Sequence, residues 1–304
     1  MQPLDHQRDA LTEIVARGRA YFSGVWRDLP IHARFHTLLV APTGTGKTAV
    51  AAMAADALGA TMLRVSAPSW MPSGAKSTVT ETIAVIAAAV AANDRTLLCL
   101  DEADKLMIRT GDNSWKSYVL AEIFELADSS WPTGLKLPED ENDDPLMPIE
   151  ALTTKLKTTV FILAIGTFQD WFDSTGSRRS MGFGAEIDNS AEEITVEEIA
   201  ERLPRELTNR FNSSLIRMPE LTREHYHRIA KQAQDTLPER MRQAFSEAVA
   251  ARIAGAISAK KGVRFLEEAL METLKNCPPE EFEKTNPIPS PETKTIDPFE
   301  ICTL

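Results

Sequence analysis

The segment Ala41-Pro42-Thr43-Gly44-Thr45-Gly46-Lys47-Thr48 puts two inner glycines ahead of a lysine and a hydroxyl side chain. This set is suited to holding a polyphosphate. Glycines let the chain curl until backbone N–H groups point at phosphate oxygens. A helix starting directly afterwards adds the partial positive charge of its N-terminus. In this reading Pro42, Thr43, Gly44, Thr45 and Gly46 form the cradle, Lys47 reaches the β- and γ-phosphates, and the Thr48 hydroxyl holds Mg²⁺. Ala41 stands where the first glycine usually falls, a mild departure because the inner pair shapes the turn. A second group lies in Leu97-Leu98-Cys99-Leu100-Asp101-Glu102. An apolar strand there carries Asp101 to a sheet edge, where it can bind Mg²⁺ through water, and Glu102 is placed as general base for the attacking water. Together the two groups predict nucleoside triphosphate hydrolysis, with ATP and Mg²⁺ as cofactors.

The elements that must position these residues follow from periodicity. Asp5 is expected to cap a helix running to about Trp26, with Leu11, Ile14 and Val15 at helical spacing, until Leu29-Pro30 breaks it. Thr37–Val40 reads as a buried strand, followed by the Gly-rich turn and an Ala-rich helix over Thr48–Leu58. Strands are predicted at Thr61–Val65, Thr96–Leu100 and Thr158–Ile165, and helices at Thr80–Ala92 and Ser114–Ala127. Residues 128–157, with Pro132, Pro138 and the acidic stretch 139–144, read as a solvated loop. Phe172–Glu186, rich in Ser, Arg and Gly, reads as a functional loop. Leu221–Leu274 is almost wholly helical, and the proline-rich tail after Pro278 lacks periodicity. The expected fold is α/β: a P-loop NTPase core with a parallel β-sheet, plus a small C-terminal α-helical lid. The expected division is an N-terminal helix and linker over 1–30, the large α/β domain over 31–220, the lid over 221–276, and a disordered tail over 277–304.

Asp101-Glu102-Ala103-Asp104 also spells the signature of a DEAD-box helicase. That family needs a longer interval between its two motifs and a second RecA-like domain, whereas only a small helical block follows residue 220. The interval present suits an AAA+ domain. Over roughly residues 35–275 the chain resembles AAA+ protein unfoldases of the ClpX type. The likeness is carried by Phe161–Phe168 followed by Ser180-Met181-Gly182-Phe183-Gly184-Ala185-Glu186, and by Leu203-Pro204-Arg205-Glu206-Leu207-Thr208-Asn209-Arg210-Phe211 with Met218-Pro219-Glu220-Leu221. The resemblance implies that Arg210 is an arginine finger reaching a neighbouring subunit's γ-phosphate, with Arg205 as its rival. It implies that Arg264 in the lid senses nucleotide from the same subunit and that Thr167 is the first sensor, where ClpX has alanine. Trp70-Met71 align with the pair that grips polypeptide in the ring's pore; the alternative is a loop anchor packed on its own domain. Met181-Gly182-Phe183 match the tripeptide that docks on a peptidase, the alternative being a structural turn. Arg178-Arg179 fall at the basic pore-entrance loop. No Cys-rich zinc segment precedes the module, the lid is shortened, and the acidic insertion has no counterpart.

Bulk properties narrow the partners. The net charge of −11 argues against nonspecific binding to duplex DNA, which needs a broad cationic surface. The three cysteines, Cys99, Cys277 and Cys302, form neither a disulfide framework nor a zinc pattern. The most apolar predicted helix is too short to span a bilayer, so the expected location is cytoplasmic. The leading expectation is an ATP-driven homo-hexamer that remodels protein clients. The alternative is a nucleic-acid-associated AAA+ regulator or loader.

Overall fold

The computed structural model describes residues 2–28, 30, 34–70, 81–107, 114–132, 135, 147–168, 205–211 and 215–276. Five strands, β1 (Thr37–Val40), β2 (Thr61–Ser66), β3 (Thr96–Asp101), β4 (Val160–Gly166) and β5 (Leu215–Arg217), form one sheet in the order β2-β3-β4-β1-β5. Every pairing is parallel. The three inner strands are buried along their whole length. They read as continuous apolar runs because both faces are covered. Alternation decides which face each side chain enters. Leu98, Leu100, Ile162, Ala164, Leu38 and Val40 join one core; Leu97, Cys99, Phe161, Leu163, Ile165 and Leu39 join the other.

The first core is covered by α3 (Glu81–Ala92), α5 (Ser114–Ala127) and α6 (Ile149–Thr159) through Ile83, Ile86, Val90, Val119, Ile123, Leu152 and Leu156. The second is covered by α1 (Arg8–Ser23) and α2 (Lys47–Leu58) through Ala10, Ile14, Val15, Val50, Ala54 and Leu58. A short α4 (Asp104–Met107) follows β3, and α7 (Arg205–Phe211) precedes β5. The C-terminal helices α8 (Arg223–Thr236), α9 (Glu239–Ser258) and α10 (Arg264–Lys275) close on a third core built from Tyr226, Phe245, Val249, Ile253, Phe265 and Ala269. The architecture is therefore a parallel α/β core with a helical lid.

Several local expectations are corrected. Asp5 caps nothing: it begins a 3₁₀ turn over Asp5–Gln7 and pairs with Arg8 at 3.3 Å. α1 ends at Ser23, not near Trp26, because Gly24 adopts the left-handed conformation (φ 70°) that closes the helix. Within 128–157, which the sequence reads as loop, residues 149–159 are helical; Leu152 and Leu156 are spaced to bury one face, and β4 starts at Val160. The acidic stretch 139–144, Phe172–Glu186 and the tail after 276 lie outside the described residues.

Candidate functional site

The loop between β1 and α2 opens at the C-terminal end of the sheet. Gly44 (φ 77°) and Gly46 (φ 82°) hold backbone conformations that side chains rarely adopt, and Gly46 caps α2. The first N–H groups of α2 have no intrahelical partner, which leaves them open to an anion at the helix start. From below, His6 Nε2 and Gln7 Nε2 both donate to Thr45 O, at 2.9 and 3.1 Å, so the N-terminal turn braces the loop. Burial lowers the His6 pKa and keeps the ring neutral. Thr45 donates from its hydroxyl to Pro42 O.

Lys47 folds back here, donating to Ala41 O at 2.9 Å and Pro42 O at 3.0 Å. Burial depresses its pKa to about 8; the carboxylates of Asp104 and Asp101 pull it upward, and Arg264 pushes it down. Two strands over, past β4, the Thr48 hydroxyl meets Asp101 Oδ2 at 3.3 Å. The two groups read from separate motifs thus meet, because β3 and β1 both end beneath the loop with β4 between them. Asp101 is buried. Glu102, the next residue, is exposed and has φ 56°. A non-glycine residue held there stores about 1 kcal/mol of strain, a feature that gathers at active sites. Asp104, 2% exposed, accepts from the Thr167 N–H at 3.1 Å and so ties the end of β4 to the segment after β3.

The lid docks directly on this loop. Val263 N donates to Gly44 O at 2.7 Å, and Gly262 N donates to the Tyr226 hydroxyl at 3.0 Å. Gly262 (φ 66°) and Gly44 touch backbone to backbone, and a methyl group on either would strike the other's main chain or that of Lys261. Beside the contact lies a cavity of about 580 Å³ lined by Thr43, Lys260, Lys261, Arg264 and Glu268. Arg264, exposed at the start of α10, faces this cavity from the lid.

Residues 37–181 match the family described as ATPase family associated with various cellular activities (AAA). The segment is an AAA-type ATPase domain. The match is to the family as a whole, and no curated protein matches the chain. In this AAA-type domain the residues present fit a nucleotide and its metal: a glycine-shaped cradle, a lysine inside it, and a hydroxyl and a carboxylate oxygen converging beside it.

Other predicted residues lie elsewhere. Arg210 sits at the opposite end of the strands, donating twice to Asp128 Oδ2 (2.6 and 3.0 Å) and once to Glu206 O, with its guanidinium 4.5 Å from the Phe124 ring centre. It lines a cavity of about 610 Å³ with Phe35 and Lys157, residues that precede β1 and β4. Trp70 is not presented as an exposed grip: it is fully buried in the first core and donates from its indole N–H to Glu122 Oε2 at 2.7 Å. The loop-anchor alternative describes its placement. Met71, Arg178-Arg179 and Met181-Gly182-Phe183 lie outside the described residues, as does the side chain of Arg205.

Sequence reading missed Arg64, whose guanidinium bonds Asp101, and the bracing by His6 and Gln7. A charge inside the apolar strand Thr61–Val65 was the available signal for Arg64. Its partner becomes visible only once β2 is registered against β3.

Proposed function

We propose that this chain is an ATP- and Mg²⁺-dependent AAA-type ATPase whose nucleotide state moves the C-terminal lid against the α/β core, assembled as a ring that remodels protein clients. The observation that carries the reading is the meeting of Lys47, Thr48 and Asp101 around a loop that the lid itself caps. Bound Mg²⁺ would supply charge neutralisation at the phosphates, held by Thr48 and Asp101. Lys47 leaves the Ala41 and Pro42 carbonyls for phosphate oxygens. Glu102, solvent-facing beside Asp101, orients and deprotonates water. Arg264 reports phosphate charge to the lid, because its helix begins two residues after Gly262.

Arg210 is the proposed trans group. Within its own chain it lies at the wrong end of the strands to reach the 41–48 loop, so only a neighbour's phosphates could meet it. Its bonds to Asp128 would then have to be exchanged on assembly. A Trp70 grip finds no support in its burial, so threading through a pore rests on the resemblance to ClpX-type unfoldases alone, as does docking of a peptidase.

A second reading, a nucleic-acid-associated regulator, is favoured by one observation. Arg27, Arg34, Lys157 and Arg210 gather around the 610 Å³ cavity against a single acid, Asp128, in a chain of net charge −11. ATP turnover measured with unfolded protein and with DNA separates the two. Stimulation by unfolded protein alone supports remodelling; stimulation by DNA alone overturns it in favour of the regulator.

A further inference from the structure

Asp101 is the carboxylate on which the metal reading depends, and in this structure it already holds a cation. Arg64, on the edge strand β2, donates from Nε to Asp101 Oδ2 at 2.7 Å and brings Nη2 to 2.6 Å of the same oxygen. That is also the oxygen 3.3 Å from the Thr48 hydroxyl. A divalent ion shared by Thr48 and Asp101 has to approach Oδ2, where the guanidinium now converges.

Two further facts separate this pair from an ordinary surface salt bridge. The Asp101 side chain is only 8% exposed, so its charge needs a counter-ion whenever no metal is bound. Lys47 does not contact it, being committed to Ala41 O and Pro42 O. Arg64, by contrast, is 58% exposed, so its long side chain can swing into water without unpacking the sheet. One partner is fixed and the other is free to leave.

We propose that Arg64 is a resident counter-cation of Asp101 that the metal displaces, so that Arg64 sets how much Mg²⁺ the site needs before it holds nucleotide. It is a positioning residue, acting through Asp101. The inference rests on the reading of Thr48 and Asp101 as the metal-holding pair. Without metal, the guanidinium keeps Asp101 from repelling incoming phosphates. With metal, a divalent ion takes the place of a single positive charge, and the added unit of charge falls to the incoming phosphates.

The test uses the full chain and a fluorescent N-methylanthraniloyl-ATP, titrated with Mg²⁺ in the wild type, Arg64→Gln and Arg64→Lys. The expected result is a Mg²⁺ midpoint for nucleotide binding about three- to tenfold lower in Arg64→Gln, the size of a half-exposed ion pair lost as competitor. Arg64→Lys should fall between the two. An unchanged midpoint would make the pair a surface salt bridge, and a raised one would make Arg64 a support of the metal; either overturns the proposal. If Arg64→Gln melts early, Arg64→Lys, which keeps the charge, carries the measurement, and a midpoint equal to or above the wild type's overturns the proposal. Failure of the underlying reading looks different: the wild type itself would then bind the probe equally well with and without Mg²⁺, or not at all.

Discussion

At the scale of single residues, the proposed site is a set of charges whose partners are expected to change when phosphate arrives. Glu102 is exposed, strained and without an assigned role in holding the fold, so Glu102→Gln should leave ATP affinity intact while slowing turnover by about 10²-fold or more, measured by phosphate release. Normal turnover would remove it as the base. Lys47 gives a pH signature. Because burial holds its ammonium near pKa 8, it is charged at neutral pH and loses its charge above that value. ATP affinity should therefore weaken from pH 7 to pH 9, and Lys47→Met should abolish both binding and the pH dependence. The same depressed pKa means that the empty fold gains stability as pH rises from about 8 toward the ordinary lysine range, where the unfolded chain still binds the proton. The loop and acidic motifs were legible because their chemistry is local: glycine conformations and a helix start are written in eight consecutive residues. Arg64 was not, since its bond to Asp101 joins two strands through a register that neither strand encodes alone.

At the scale of elements, what matters is how the lid meets the loop. Gly262 and Gly44 touch with no room for a side chain, and both have positive φ. Gly262→Ala should displace the lid from the loop, weakening ATP binding about tenfold or more while leaving the core's unfolding transition in place. Equal losses in both would mean that the contact is structural. Trp70 belongs to the same scale as an anchor between the chain after β2 and α5. Trp70→Phe removes a buried indole N–H bonded to Glu122 and should cost about 1–3 kcal/mol in urea unfolding. Little change would argue that Trp70 has another place. The parallel strands were readable because burial on both faces makes them unbroken apolar runs. Helix α6 was not: acids and prolines upstream dominate the composition, and only Leu152 and Leu156 mark its buried face. Trp70 could not be assigned from sequence because an exposed and a buried tryptophan look alike until the carboxylate opposite is known.

At the scale of the whole molecule, the chain presents its nucleotide loop at one end of the sheet and Arg210 at the other. A single copy cannot join them; the proposed head-to-tail ring would. Arg210→Ala should then spare ATP binding but cut turnover by about 10³-fold, as expected for a group stabilising transferring phosphate. If binding falls instead, its bonds to Asp128 are structural. Among the described residues no helix is long and apolar enough to cross a membrane, and the net charge of −11 leaves the cations around Arg210 as a local exception. The most direct measurement of the account is the native mass of the Glu102→Gln variant with and without ATP and Mg²⁺. A closed hexamer that forms only with nucleotide is the predicted result. A monomer under both conditions would contradict the shared site, and with it the ring.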